Sequence, residues 1–356
     1  MGVSKAPVAA LRDWILTGET PPVGPDIASA AVEQGLAGLL LVGLGPRSGL
    51  VAPSTLDRLR EAMRRSLVRG VRLLDLAGRA QRVLLGRGVR SLPLKGAALA
   101  EPLYGSLGFR PMLDADLLAL DAWPDAVEAL LEEGYGAAVR ADHAFVFVCP
   151  TTGAILELHR SVTSCPGLFP TNANDLWSRS LPAEGPVSRH PSAEDLLVQL
   201  SLHASFQHGL VLSLVQWLDF RRLLERRPLD LERVIAITTE AGAESAVGAA
   251  LRVAQLVVGA PVPRELARAL PLRPRLGAWL APRWSAPLCF VAPAAPALGR
   301  LRWELAEGRR LRLLAATMGL DGSRSDRGLG GAGARAWHLA RRWALPSARS
   351  WRGVAS

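Results

Sequence analysis

Two aspartates one residue apart, Asp114 and Asp116, lie in the apolar run LDADLLAL. If this run forms a strand, its side chains alternate between two faces, so both carboxylates share one face and their apolar neighbours take the other. Two carboxylates at one edge suit Mg²⁺, a hard ion that binds carboxylate, water and phosphate oxygens. The pair therefore favours metal-assisted phosphoryl or nucleotidyl chemistry, with a solvated strand edge as the alternative.

A lysine and a glycine stand upstream of this pair. The run SLPLK predicts a short strand that ends at Lys95, Gly96 predicts a turn, and AALAEPLY predicts a helix. The first N–H groups of such a helix lack partners within it and can bind an anion. Lys95 is one of only two lysines in a chain with 42 Lys+Arg, so its compact charge favours a contact with phosphate. The alternative is a lysine whose stem merely covers a strand end.

The segment LPLKGAALAEPLYGSLGFRPMLDADLLAL and the later segment LLEEGYGAAVRADHAFVFVCPTTGAILELHRSV carry several further motifs. Together they resemble the uncharacterised nucleotidyltransferase family, a distant branch of the polymerase-beta-like nucleotidyltransferase superfamily. In that family a Lys-Gly, an Arg, an Asp-x-Asp, a Gly-Tyr, a His and a Glu-x-His follow in this order. The corresponding residues here are Lys95 and Gly96, Arg110, Asp114 and Asp116, Gly134 and Tyr135, His143, and Glu157 and His159. The resemblance is good over residues 85–165 and loose over the helical remainder.

The resemblance implies a metal-dependent nucleotidyltransferase, which transfers a nucleoside monophosphate from an NTP to an unidentified acceptor hydroxyl. Asp114, Asp116 and Glu157 would be the catalytic residues and the ligands of Mg²⁺ or Mn²⁺, with Glu157 as a metal ligand or a base. The residues implied to bind the nucleotide are Lys95, Gly96, Arg110, His143 and His159. The two histidines would be phosphate donors or proton carriers, with a structural role as the commoner alternative.

One residue departs from the pattern of the wider superfamily. A Gly-Ser or Gly-Gly is usual at the turn, where the second residue helps to bind phosphate, whereas this chain has Ala97 after Gly96. The missing hydroxyl leaves open a second hypothesis, a catalytically inactive protein that keeps the fold and binds a nucleotide or a partner. A third hypothesis, nucleic-acid binding, depends on the basic C-terminal end and predicts an affinity that falls steeply with salt.

Periodicity in the sequence predicts the elements that position these residues. The predicted helices span residues 7–17, 26–44, 54–86, 123–133, 192–208, 210–226, 229–241, 244–258 and 263–270. The runs AFVFV and AILEL flank a turn and predict a hairpin whose second strand carries Glu157. If that strand lies beside the strand of Asp114 and Asp116, Glu157 adds a third carboxylate to the metal site, with a solvated strand end as the alternative. We therefore predict an α+β fold, a small mixed β-sheet nucleotidyltransferase core flanked by N-terminal helices and a C-terminal helical bundle.

The predicted organisation has four parts: a helical scaffold at 1–86, a nucleotidyltransferase-like α/β core at 87–190, a helical bundle at 191–320, and a basic segment rich in Gly, Arg and Trp at 321–356. Within the bundle, His203 and His208 are interpreted as packing or capping residues. Asp219 is interpreted as the ion-pair partner of Arg222, three residues along the same helix, with a position facing the active cleft as the alternative.

Composition bounds the partners and the cellular compartment. The excess positive charge, formally +10, lies in residues 272–356, which makes this end either a contact for an anionic partner or a weakly ordered basic tail. The cysteines Cys149, Cys165 and Cys289 have neither metal-ligand spacing nor an even number, which favours a reducing cytoplasm. The longest apolar run, around residues 36–44, is too short to cross a bilayer, so no transmembrane segment is expected.

Overall fold

The computed structural model describes residues 5–140, 144–163, 168–272, 277, 301–303 and 305–306. Within these ranges the fold is α+β, with helices before, between and after the strands of a five-stranded mixed sheet. The predicted fold class is therefore confirmed. His143, Cys165, Cys289 and the basic segment 321–356 lie outside the described residues.

Four helices precede the sheet: α1 (Lys5–Thr17), α2 (Pro25–Glu33), α3 (Ala37–Leu44) and α4 (Pro53–Gly86), with a 3₁₀ turn at Gly45–Leu50 before the last. The prediction of one helix over residues 26–44 is wrong, because the chain turns between α2 and α3. Gly35 makes this turn with a φ of +72°, and a Cβ there would lie 2.5 Å from Val215 Cγ1. Glycine is therefore needed both for the backbone angle and for the close approach of a later helix.

The strands of the main sheet are β1 (Ser91–Pro93), β2 (Ala115–Ala119), β3 (Gly136–Arg140), β4 (Ala144–Val148) and β5 (Ile155–His159), in the order β1-β2-β5-β4-β3. β2 and β5 are parallel, and every other neighbouring pair is antiparallel. The predicted hairpin is confirmed as β4 and β5. The sequence did not predict β3, an edge strand with a glycine at its start and an irregular register between Ala137 and Val139.

One face of the sheet packs against α4 and α6 (Trp123–Glu132). Ala115, Leu117 and Ala119 of β2 belong to the same buried hydrophobic cluster as Leu73 and Leu76 of α4. The alternation of side chains along β2 then directs Asp116 to the opposite face. The hydrophobic core on one side thus determines that a carboxylate faces the other side.

Between the two strands β1 and β2 lies α5 (Lys95–Tyr104), and the later helices are α7 (Ala173–Arg179), α8 (Ala193–Leu202), α9 (Leu214–Arg226), α10 (Leu231–Ala241), α11 (Glu244–Val258) and α12 (Arg264–Ala269). A short strand pair, β6 (Leu181–Pro182) with β7 (Arg189–His190), precedes α8. A π-helical turn at His203–Gln207 follows α8. Most predicted helices of the bundle are found, although α9 begins four residues later than predicted, at a capping box formed by Ser213 and Gln216.

The bundle helices and the N-terminal helices share one hydrophobic core. Its largest fully buried side chains include Trp217, Phe220 and Phe206, and residues of α1, α2 and α3 belong to the same cluster. The predicted boundaries of the four parts stay a prediction. Among the described residues, no helix combines the length and the apolar character that a bilayer crossing requires.

Candidate active site

Asp116 and Glu157 lie side by side on the face of the sheet that is turned away from α4. β2 and β5 run parallel, and their register pairs Asp116 directly with Glu157. His159 follows Glu157 by two residues, so its side chain lies on the same face. The ligand atoms of Asp116, Glu157 and His159 all lie within 4.8 Å of one another. The expectation that Glu157 lies beside the Asp116 strand is therefore confirmed.

Lys95 supplies a cation to this cluster. Its Nζ lies 2.6 Å from Asp116 Oδ1 and 3.6 Å from Glu157 Oε2. Lys95 is the first residue of α5 and has a φ of +46°, an angle that is uncommon for a residue with a side chain. Such backbone strain is found preferentially at functional sites. The N-terminus of α5 and the Lys95 ammonium together make this end of the site positive.

The prediction that Gly96 turns the chain is wrong, because the positive φ belongs to Lys95 and Gly96 lies within the first turn of α5. The glycine is needed for space instead. A Cβ at Gly96 would lie 2.6 Å from Met112 Cγ and 2.8 Å from Met112 Sδ. The link between α5 and β2 therefore passes close over the start of the helix only because residue 96 has no side chain.

His159 joins the two carboxylates. Its Nε2 lies 2.9 Å from Asp116 Oδ1 and 3.1 Å from Glu157 Oε2. Burial by itself would lower the pKa of His159, but the hydrogen bonds to Asp116 and Glu157 outweigh burial and raise it. The hydrogen bond with His159 is also the main cause that lowers the pKa of Glu157. The imidazole thus bridges the two carboxylates and orients them.

Charge balance explains how Asp116 remains ionised although it is only 3% exposed. Burial tends to raise the pKa of Asp116, but the Lys95 charge and the hydrogen bond with His159 outweigh burial and hold the pKa well below its usual range. The same contact acts on Lys95. Burial tends to lower the pKa of its ammonium, but the charge of Asp116 outweighs burial and raises it. Each ion is stable there because the other is present.

Asp114 stands one residue before β2. It lines a cavity that Asp116, Glu157 and His159 also line, but it is not one of the three residues whose ligand atoms converge. It is half-buried. Burial first, and then repulsion from Asp116, raise the pKa of Asp114 to about 6. Both predicted carboxylates therefore line one cavity. Asp116 belongs to the charge cluster, which consists of Lys95, Asp116, Glu157 and His159, whereas Asp114 lies at the margin of this cluster.

Arg110, predicted to hold phosphate, forms a buried ion pair with Asp219 of α9. Arg110 Nε donates to Asp219 Oδ1 at 2.9 Å and Arg110 Nη2 donates to Asp219 Oδ2 at 2.8 Å, while Nη1 donates to the carbonyl of Pro111. The hydroxyl of Tyr104 donates to Asp219 Oδ1 at 2.7 Å. The structure thus shows Arg110 as a clamp between the link before β2 and α9, and its assignment to phosphate stays a prediction.

The pairing of Asp219 with Arg222 was wrong. Arg222 Nη1 donates to the carbonyl of Leu103 at 3.1 Å, and its guanidinium lies 4.3 Å from the centroid of the Tyr104 ring. Asp219 instead lines the cavity beside the sheet, and the planar guanidinium of Arg110 offers it two parallel hydrogen bonds. A bidentate bond of this kind is a better partner for a buried carboxylate than a neighbour on the same helix.

The charge cluster opens into a cavity of about 570 Å³ between the sheet and the bundle. The sheet side is formed by Lys95, Asp114, Asp116, Glu157 and His159. The helical side includes Gln199 of α8, His203 of the π turn and His208. Cavities that bind small molecules usually have volumes of this order.

The model of a family described as "Uncharacterised nucleotidyltransferase" matches residues 25–259, which is more than half of the chain. This chain belongs to that nucleotidyltransferase family. The match includes both sides of the cavity, from the charge cluster to α9. No curated protein matches the chain.

Two residues that the sequence assigned to packing or capping lie on the cavity wall. His203 lines the cavity beside His208, and their rings meet edge to face with centroids 4.3 Å apart. Burial, followed by the Lys95 charge, lowers the pKa of His203 well below its ordinary value. The sequence signal for this wall is the spacing of Gln199 and His203, four residues apart, which places both on one helical face.

Proposed function

We propose that this protein is a metal-dependent nucleotidyltransferase, which transfers a nucleoside monophosphate from an NTP to a hydroxyl of an acceptor. One observation carries the proposal. Asp116, Glu157 and His159 converge beside Lys95 at the start of a helix, inside a cavity of a chain that belongs to a nucleotidyltransferase family.

The donor groups fit a divalent cation. Asp116 and Glu157 offer carboxylate oxygens from adjacent strands, and Asp114 offers another from the same cavity. Carboxylates suit Mg²⁺ and Mn²⁺, and an imidazole such as that of His159 is better suited to orienting the carboxylates than to binding Mg²⁺. A bound ion would neutralise the charge of the phosphates and polarise the α-phosphate.

Lys95 and the first turn of α5 would hold the triphosphate. The ammonium has three N–H donors, so it can keep its contact with Asp116 and donate to a phosphate oxygen as well. The side chain of Lys95 is 25% exposed, so it is accessible from the cavity. The free N–H groups at the start of α5 add donors of the same kind.

Glu157 would accept the proton of the acceptor. The acceptor oxygen forms a bond to the α-phosphorus, the anhydride bond to the β-phosphate breaks, and pyrophosphate leaves with the bonding electrons. The side chain of Glu157 is 23% exposed and that of Asp116 only 3%, so Glu157 is the carboxylate that an incoming hydroxyl reaches. His159, bonded to Glu157, keeps the carboxylate in position.

Within the part of the chain that the structure describes, no observation favours the alternative of an inactive binding protein. That hypothesis depended on Ala97, the residue that lacks the superfamily's hydroxyl. Ala97 is 3% exposed and packs in the hydrophobic core beneath the sheet with Leu73 and Ala100. A side chain at this position points into the core, so the missing hydroxyl leaves the cavity wall unchanged.

The test is incubation of the purified protein with each NTP, labelled at the α-phosphate, and with Mg²⁺ or Mn²⁺. Candidate small molecules, nucleic acids, proteins and the enzyme itself serve as acceptors. We expect metal-dependent transfer of label and release of pyrophosphate in the wild type, and loss of both in Glu157→Gln. The control is Asp57→Asn, which removes an exposed carboxylate of α4. Folded wild-type protein that binds no NTP in the presence of metal would refute the proposal.

A further inference from the structure

A buried glutamine on the cavity wall has no partner for its amide. Gln199 of α8 is 8% exposed and lines the cavity. Among the described residues, neither its Nε2 nor its Oε1 has a hydrogen-bond partner. Burial of an unpaired amide is unfavourable, so its donor and acceptor call for partners, and at the wall of a cavity a bound ligand can supply them.

Two imidazoles line the helical side of the cavity together with this amide. His203 follows Gln199 by four residues, at the start of the π-helical turn His203–Gln207, and the ring of His208 meets it edge to face. Turns of this kind occur frequently at functional sites. The lowered pKa of His203 leaves its ring neutral at pH 7, so it offers one donor and one acceptor nitrogen.

The sheet side of the cavity differs chemically from this helical side. Lys95, Asp116 and Glu157 interact through charge, which suits phosphate but does not distinguish one base from another. The helical side offers neutral groups with paired donors and acceptors. An amide presents one donor beside one acceptor, an arrangement that matches the edge of a nucleobase.

We infer that Gln199 recognises the base of the bound nucleotide by hydrogen bonds to its edge, with His203 and His208 forming the surface beside it. The inference rests on the proposed function, because it assigns the phosphates to the Lys95 end of the same cavity. The base then lies against α8 and the π turn. Nucleotide preference is set on the helical side, and affinity for phosphate is set on the sheet side.

Two variants of Gln199 separate the donor from the acceptor. Gln199→Met keeps an unbranched side chain of similar length and removes both groups. Gln199→Glu keeps the size and replaces the donor with a second acceptor. A matched control is Gln216→Met, because Gln216 lines the same cavity but its Oε1 already accepts from Ser213 N and Ser213 Oγ.

The measurement is the affinity of each protein for the four NTPs and for tripolyphosphate, with Mg²⁺, by calorimetry. We expect the wild type to separate its best and worst NTP by about 5- to 100-fold, the range of a bidentate contact to a base. Gln199→Met should reduce that ratio to near one while tripolyphosphate binds as before. Gln199→Glu should shift preference towards guanine, whose edge presents two adjacent donors.

Thermal unfolding supplies a second measurement. Since the amide is unpaired without ligand, Gln199→Met should have a Tm equal to or above that of the wild type. Gln216→Met should have a lower Tm and an unchanged NTP ratio. A fall in Tm for Gln199→Met together with an unchanged NTP ratio would identify Gln199 as structural and overturn the inference.

Two further outcomes distinguish this inference from the proposed function. If NTPs and tripolyphosphate bind equally well and with the same metal dependence, the phosphate site stands and base recognition by Gln199 is refuted. If Gln199→Met alters only the KM of the acceptor, the amide belongs to the acceptor site and the inference is likewise refuted. If neither NTP nor tripolyphosphate binds, both proposals are refuted.

Discussion

Two of the aspartates that line the cavity, Asp116 and Asp219, are both almost completely buried and both paired with a cation, yet their pairs differ in kind. Asp219 is 1% exposed and accepts from the fork of Arg110 on both oxygens, and from Tyr104 as well. Asp116 is 3% exposed, and both Lys95 and His159 meet the same atom, Oδ1. No hydrogen bond or ion pair within the described residues engages Asp116 Oδ2.

This difference separates a structural pair from a reactive one. The planar guanidinium of Arg110 and the hydroxyl of Tyr104 use both oxygens of Asp219, and so connect α9 to the link before β2. The ammonium of Lys95 is a point charge on a flexible stem, and it leaves one oxygen of Asp116 available for a ligand. We therefore expect substitutions at the first pair to affect folding, and substitutions at the second to affect binding.

The largest effect is expected for Asp219→Ala. The change leaves Arg110, which is 7% exposed, as an uncompensated buried charge, and removing one partner of such a pair costs about 3–5 kcal/mol. Urea unfolding followed by circular dichroism measures the loss. The double variant Arg110→Met with Asp219→Leu should recover much of the stability, because neither charge remains. A single variant as stable as the wild type would show that the pair is not a clamp.

Lys95→Met should weaken NTP binding by about 1.5–3 kcal/mol, the contribution of hydrogen bonds to charged groups, and should affect folding less than Asp219→Ala. Lys95→Arg keeps the charge but introduces a wide planar group, so it should restore binding only in part. Calorimetry with each NTP and an unfolding curve for each variant check both statements. Normal NTP binding by folded Lys95→Met would assign the phosphate to another residue, with Arg110 as the next candidate.

Divalent metal should strengthen NTP binding at least about tenfold, or about 1.4 kcal/mol. The double variant Asp114→Asn with Asp116→Asn should lose this metal-dependent part, because the carboxylates that favour the cation are gone. Titration of NTP with and without Mg²⁺ or Mn²⁺ measures the difference for each protein. Equal affinities under all these conditions would show that the cavity does not couple metal and nucleotide.

The smallest effect is expected for the contribution of His203 to the pH dependence of folding stability. The pKa of this residue is well below 6.5 in the folded protein and near 6.5 in the unfolded chain, so the unfolded chain binds more protons at mildly acidic pH. Its contribution to stability is therefore complete above about pH 6.5 and decreases as the pH falls towards the folded value. Urea midpoints at pH 7.5 and 5.5 should differ less for His203→Asn than for the wild type. An identical difference in both proteins would contradict the lowered pKa.

Local patterns in the sequence were sufficient for most of the elements and for the chemistry of the sheet side. The period of apolar residues predicted α4 and α11 almost to the residue, since each helix buries one stripe of its surface. The Lys-Gly, Asp-x-Asp and Glu-x-His motifs identified side chains that the structure brings into one cavity. These successes share a cause, because periodicity, turns and short motifs are properties of neighbouring residues.

The helical side of the site depended on contacts that no local pattern contains. Arg110 and Asp219 are 109 residues apart in sequence, and their pairing requires α9 to pack against the link before β2. Local spacing suggested Arg222 instead, because a partner on the same helix is all that a single segment can show. His203 was interpreted as a packing or capping residue, and the sequence alone assigned no role to Gln199. Both line the cavity only because the sheet lies opposite. Side-chain types and short-range geometry follow from the chain itself, whereas the partner of a buried charge follows from which distant surfaces pack together.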